Sequence, residues 1–135
     1  MIYYAKANKA EEGGYWIVFD DLAGCYTEGD TLEEALFMAE EALNLYLSCA
    51  SAIKAPNNYE GRQDYYAVKV YPHIATALKL RFMREALGLT QGDVAGRLNI
   101  TYQAYQRLEN PAKNNITIKT IDKIQRALGI ELVAI

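Results

Sequence analysis

The chain has 135 residues, 51% of them hydrophobic and 23% charged, an ordinary globular composition that excludes a disordered or collagen-like protein. No apolar run approaches the roughly 18 residues that a bilayer-spanning helix needs, and the start Met1-Ile2-Tyr3-Tyr4-Ala5-Lys6 lacks the pattern of a secretory leader, so no membrane association and a cytoplasmic location are expected. The formal net charge of −3 divides unevenly: residues 1–73 hold 5 Lys+Arg against 12 Asp+Glu (−7), and residues 74–135 hold 9 against 5 (+4). Such a split is expected either of two domains with different partners, a basic protein for the acidic half and a polyanion for the basic one, or of surface charge that merely keeps each half soluble.

Ile2 to Asn8 reads as a strand, and Glu11-Glu12-Gly13-Gly14 as a hairpin turn into a second strand, Tyr15 to Asp20. A short third strand, Cys25-Tyr26-Thr27, follows and is closed by Gly29-Asp30. Thr31-Leu32-Glu33-Glu34 has the pattern of a capping box, in which Thr31 accepts an early helix N–H and Glu34 reaches back to the N–H of the cap. Leu32, Ala35, Leu36, Ala39, Leu43, Tyr46, Leu47 and Ala50 then form one apolar stripe of a helix that can lie on the sheet. Its opposite side carries Glu34, Phe37, Glu41 and Asn44; an aromatic on an acidic face is either a partner contact or packs beneath a loop. Residues 51–63 have loop chemistry, and 64–71 supply a fourth strand. The expected order is β-β-β-α-β, with a boundary at Pro72 to Thr76.

Nothing in this half makes a convincing catalytic constellation. Asp20, Asp21, Asp30 and Glu33 have the oxygen chemistry of a magnesium site, but turn formation and the helix dipole explain them equally. Cys25, Cys49 and the single His73 do not combine into a zinc site or a disulfide framework. No catalytic residue, metal or cofactor is expected.

The segment from Gly13 to Leu47, particularly Gly13-Gly14-Tyr15-Trp16-Ile17-Val18-Phe19-Asp20-Asp21 and Thr31-Leu32-Glu33-Glu34-Ala35, resembles the N-terminal domain of HicB antitoxins. Ala23 stands where that family commonly has proline. The resemblance implies a partial ribonuclease H-like fold without the catalytic acids, and a HicA-like RNA-cleaving toxin as partner. Trp16, Phe37, Glu34 and Glu41 are the candidate toxin-binding residues.

The basic half reads as helices. Ala75 to Leu87 forms a first helix, with Gly88 as its C-cap. Thr90 caps Gln91 to Leu98, Asn99 occupies a turn that demands the left-handed conformation, and Thr101 caps Tyr102 to Glu109. Val94, Leu98, Ile100 and Leu108 would fill the wedge between these two helices, whose lengths and separation are those of a helix-turn-helix. Thr117 caps a last helix with the stripe Ile118, Ile121, Ile124 and Leu128.

Leu89-Thr90-Gln91 through Arg107-Leu108-Glu109, with Ala127-Leu128-Gly129-Ile130, resemble the Cro/repressor (XRE)-type DNA-binding domain over residues 75–130. Gly92 and Gly96 depart from its usual residues, each weakening the helix by about 1 kcal/mol. In a DNA reader of this kind Tyr102, Gln103, Gln106 and Arg107 are the base-edge candidates. Thr90, Gln91, Thr101, Asn110 and Lys113 are the phosphate candidates. The resemblance also implies a structural ion pair between Arg84 and Glu109. Tyr105, where the family has an aliphatic residue, is expected to pack inward, with an added DNA contact as the alternative.

Residues 130–135 read as an apolar strand that needs a partner, and pairing across a two-fold axis would give a homodimer or a higher even-numbered oligomer. The expected organisation is α+β: a toxin-binding domain over 1–72, a linker over 73–76 and an all-α helix-turn-helix domain with a short C-terminal strand over 77–135. The function expected is that of an antitoxin that neutralises a HicA-like toxin and represses its own operon by binding double-stranded operator DNA. A stand-alone repressor with a ligand-sensing N-domain, and a residual metal-dependent nuclease, are the competing readings.

Overall fold

A computed structural model describes residues 1–132, and the chain divides into two compact units, Met1–Tyr71 and Pro72–Ile135. In the first, β1 (Ile2–Lys9), β2 (Tyr15–Val18), β3 (Tyr26–Gly29), α1 (Leu32–Cys49) and β4 (Tyr65–Lys69) follow in that order. The strands form a four-stranded sheet in the order β3-β2-β1-β4, antiparallel throughout. Alternation along β1 sends Tyr3, Ala5 and Ala7 into the core, where they meet Ile17, Val68 and the α1 residues Ala35, Ala39, Leu43 and Leu47. The β1–β2 hairpin depends on Gly13 and Gly14, whose φ values of 98° and 80° lie where a side chain would be strained.

Thr31 caps α1, its hydroxyl accepting from the Glu34 N–H at 3.1 Å. The Glu34 carboxylate reaches one residue past the cap, to the Asp30 N–H at 3.4 Å, so the reciprocal half of the expected box is displaced. Asn44, expected on the outer face of α1, is 2% exposed instead. Its amide donates to the Lys69 and Glu40 carbonyls, and its oxygen accepts from the Tyr71 N–H. A buried amide must satisfy its donors and acceptor, and here that requirement ties α1 to the end of β4.

The segment between α1 and β4 is fastened through Asp21, a carboxylate that is 8% exposed. Asp21 accepts from the Asn57 backbone N–H and side-chain amide and from the Tyr59 hydroxyl, and Lys54 lies 3.8 Å away. Burial alone would raise its pKa, but these bonds outweigh it and hold the carboxyl below its usual range. Tyr59 also stacks on Tyr65, with the Arg62 guanidinium over both rings.

The second unit contains α2 (Pro72–Ala86), α3 (Gln91–Leu98), α4 (Tyr102–Leu108) and α5 (Ile118–Leu128). Residues 73–76, expected as a linker, are the first turn of α2. Proline is tolerated at the start of a helix because its missing N–H would have no helical partner there, so Pro72 opens α2 where a break was expected. Leu80, Val94, Ala95, Leu98, Tyr105, Ile124, Leu128 and Leu132 make the core. Ile118, assigned to the buried stripe of α5, is 86% exposed; its place in the first turn carries it off the packed face. Ile130–Leu132 are not strand: Leu132 buries its side chain in the core and donates its N–H to the Gln125 side chain at 2.8 Å. Val133 to Ile135, the rest of the expected strand, lie outside the described residues.

Gly96 sits in the middle of α3 with nothing within 4 Å of where a Cβ would stand. Gly96→Ala is therefore expected to stabilise the second unit by about 0.5–1 kcal/mol, by restricting the unfolded chain and improving helix propensity. Urea denaturation followed by circular dichroism at 222 nm checks it, and a decrease in midpoint would contradict the open space.

Candidate functional site

The helix-turn-helix is set by local chemistry at three positions. Thr90 and Asp93 form a reciprocal capping box at the start of α3, with bonds of 3.0 and 2.9 Å. The Thr90 N–H lowers the Asp93 pKa. Asn99 takes the left-handed conformation (φ 58°, ψ 44°) and returns its N–H to the end of α3, which turns the chain sharply enough for α4 to begin three residues later. Thr101 then caps α4 by accepting from the Ala104 N–H. All three devices fix how α4 is presented.

Behind α4 lies the charged pair. Arg84 donates to Glu109 through Nε at 2.6 Å and Nη2 at 3.0 Å, and through Nη1 to the Leu89 carbonyl at 2.8 Å. Glu109 is 1% exposed, and its carboxylate raises the Arg84 pKa against the effect of burial. Tyr105 packs inward, fully buried, and its hydroxyl has no hydrogen-bond partner among the described residues. Burial, with Glu109 nearby, pushes the Tyr105 pKa up.

The structure places Tyr102, Gln103, Gln106 and Arg107 on the exposed side of α4. Thr90, Thr101 and Lys113 are also exposed, but both threonine hydroxyls are occupied in caps. Asn110 is half-buried, and its side-chain oxygen accepts from the Ala112 N–H, shaping the turn after α4. Gln91 is the departure from a simple surface residue. It is half-buried, with its amide donating to Glu109 at 3.2 Å and its oxygen accepting from the Tyr102 hydroxyl at 3.1 Å. Their positions at the starts of consecutive motif helices were the only sequence sign of this link.

In the first unit the four toxin-surface candidates do not gather in one place. Phe37, 70% exposed, shares the outer face of α1 with Glu34 and Glu41. Leu45, 68% exposed, extends this face and was missed, because the apolar stripe drew attention to the buried side. Trp16 lies on the sheet face turned away from α1, since its neighbour Ile17 points into the core. It lines a groove of about 720 Å³ with Val18, Phe19, Leu22, Cys25 and Tyr26. Tyr26, 72% exposed, is a second exposed aromatic there.

Two of the four carboxylates considered for a metal, Asp20 and Asp21, are engaged in hydrogen bonds. Both Asp21 oxygens accept hydrogen bonds, Asp20 accepts from the Tyr65 hydroxyl, and Glu34 and Thr31 fix the helix start beside Asp30. Burial pushes the Cys25 thiol up to about 11, which leaves it protonated and unreactive at neutral pH. Among the described residues no helix is long and apolar enough to cross a membrane.

Comparison with known proteins agrees with this division. Residues 3–70 match the family described as HicB_like antitoxin of bacterial toxin-antitoxin system, and residues 80–135 match the helix-turn-helix family HTH_3. Antitoxin HicB 1 of Photorhabdus laumondii is 32% identical over 138 residues, covering 98% of this chain and 84% of the relative. Antitoxin HicB of Escherichia coli strain K12 is 27% identical over 98% of this chain and 96% of its own length. Antitoxin HicB of Pseudomonas fluorescens is 30% identical, over 95% and 87% respectively. The family and its helix-turn-helix are regulatory and not enzymatic. With both units matched in the order in which they fold, the chain belongs to the HicB-like antitoxins of bacterial toxin–antitoxin systems and carries a C-terminal helix-turn-helix DNA-binding domain.

Proposed function

We propose that this chain is a two-function antitoxin of the cytoplasm: its acidic unit binds and neutralises a HicA-like RNA-cleaving toxin, and its helix-turn-helix represses the operon encoding the pair. The observation that carries this reading is the joining, in one chain, of an antitoxin-family unit of net charge −7 with a basic helix-turn-helix of net charge +4. A toxin that handles RNA needs a basic surface, and an acidic partner exploits that charge to steer association. The outer face of α1, with Phe37 between Glu34 and Glu41, and the Trp16 groove are the two surfaces offered to it.

On the DNA side, Gln103, Gln106 and Arg107 are assigned to base edges, glutamine pairing bidentately with adenine and arginine with guanine. Tyr102 stands at the same groove-facing end of α4. Lys113, with the N-terminal ends of α3 and α4 at Thr90 and Thr101, and the turn at Asn110, is assigned to phosphates. A dimer or higher even-numbered assembly would match a palindromic operator.

Co-expression tests both functions at once. The full chain, produced with a HicA-like toxin, is expected to restore growth and to silence a reporter driven by the DNA upstream of its own reading frame. Gln103→Ala combined with Arg107→Ala should retain the growth rescue and lose repression at least about tenfold, since each bidentate contact is worth about 1–3 kcal/mol. Failure of the wild-type chain to rescue growth would sink the toxin reading and favour a repressor that senses a ligand through the Trp16 groove.

A further inference from the structure

We propose that the buried Glu109 carboxylate sets the hydrogen-bond polarity of the base-reading face, acting through Gln91 and Tyr102, and that Gln91 is a positioning residue. This rests on the DNA-binding reading above and specifies how that site is prepared. The chemistry runs in one direction. A carboxylate gripped by Arg84 through two N–H groups has no proton to donate, so it can only accept. Gln91 must therefore turn its amide nitrogen toward Glu109, at 3.2 Å, which leaves its oxygen facing α4.

That oxygen accepts the Tyr102 hydroxyl proton at 3.1 Å. With its proton spent, Tyr102 offers only lone pairs, and it accepts from the Gln106 amide nitrogen at 3.5 Å. Gln106 is left displaying its oxygen and its second N–H to the groove. An acceptor beside a donor is the pattern that complements N6 and N7 of adenine. A glutamine free to turn over presents the reverse pattern equally well and discriminates less. The relay also settles the rotamers of Tyr102 and Gln106 before DNA arrives, removing part of the ordering cost of binding.

Gln91 has a simpler alternative role, a direct bond to a phosphate, and the two predict different losses. A phosphate contact contributes to every duplex, whereas a positioning contact contributes only where bases are read. The experiment begins by selecting duplexes with the full-length wild-type chain from a library randomised over about 20 base pairs, the span of two half-sites. Affinities of the wild type, Gln91→Met, Tyr102→Phe and the double variant are then measured for the selected duplex and for a scrambled one.

Each single variant is expected to lower the ratio of selected to scrambled affinity about tenfold, with scrambled binding and salt dependence unchanged. Because both break one relay, the double variant should lose no more than either single. Tyr102→Phe alters only an exposed hydroxyl, so its melting temperature stays within about 3 °C of wild type and its result stands even if Gln91→Met folds poorly. Equal losses on both duplexes for Gln91→Met, or additive losses in the double variant, would overturn the proposal while leaving DNA reading intact. If the wild-type chain selects no sequence, the DNA-reading function falls and the relay with it.

Discussion

Glu109→Ala is expected to cost the helix-turn-helix unit about 3–5 kcal/mol, the usual penalty for removing one partner of a buried ion pair. The side chain of Arg84 is 13% exposed, beside a Glu109 side chain that is 1% exposed. Removing the carboxylate leaves that guanidinium with only the Leu89 carbonyl of the three bonds described above, and it also strands the Gln91 amide. A unit of this size has only a few kcal/mol of net stability to lose, so the variant should be largely unfolded in that unit at 37 °C and bind no DNA. The chain contains a single tryptophan, Trp16, which lies in the other unit. Tryptophan fluorescence therefore reports the N-terminal unit separately, while circular dichroism at 222 nm follows the helices of both units, chiefly α2 to α5 of the second. The expected result is a large fall in the dichroism midpoint with the fluorescence transition unmoved. Arg84→Met combined with Glu109→Met should recover most of the loss, because an apolar pair of similar volume leaves no uncompensated charge. A loss below about 1 kcal/mol for Glu109→Ala would place the pair among ordinary surface bridges.

How much of this was legible in the sequence depends on how far each interaction reaches along the chain. Thr31, Thr90, Thr101 and Thr117 act on N–H groups three residues away, and Asn99 acts on its own turn, so the helix starts and the motif turn could be read directly. Alternation along β1 and the four-residue spacing of Ala35, Ala39, Leu43 and Leu47 likewise revealed which faces are buried. Asn44 was misplaced because its partners, Lys69 and Tyr71, come 25 and 27 residues later, and periodicity alone assigns a polar residue outward. The fastening of the 51–64 segment by Asp21 is hidden for the same reason, since Asn57 and Tyr59 are 36 and 38 residues away. Ile130 to Leu132 misled through composition: an apolar run has β chemistry, but Leu132 gains more by entering a core left open beside α5.

The same contrast separates a turn glycine from a packing glycine, and Gly29 is the case with a large consequence. Beside Asp30 it has the composition of a turn, yet its φ is not positive, so left-handed freedom is not what the position requires. The reason is proximity. A Cβ built on Gly29 would stand 2.5 Å from the Ala35 backbone nitrogen and 2.8 Å from its Cα. These are atoms of the first turns of α1, with the Ala35 N–H already bonded to the Thr31 carbonyl at 2.9 Å and Ala35 itself fully buried. No rotamer change relieves a clash with backbone, so α1 must slide or tilt away from β3, opening the interface formed by Ala35, Ala39 and Leu43. Gly29→Ala is accordingly expected to destabilise the N-terminal unit by about 3 kcal/mol, at the upper end for overpacking. Trp16 on the neighbouring β2, opposite Glu28 of β3, should register it as a fall in the urea midpoint of fluorescence, with the second unit's dichroism transition unchanged. Gly13→Ala is the informative comparison, because it meets no atom within 4 Å and its φ of +98° is left-handed. Its cost is about 1 kcal/mol of backbone strain. A smaller loss for Gly29→Ala than for Gly13→Ala would mean that α1 yields to β3 easily, and that the sheet, rather than the β3–α1 junction, determines where the acidic face of α1 points.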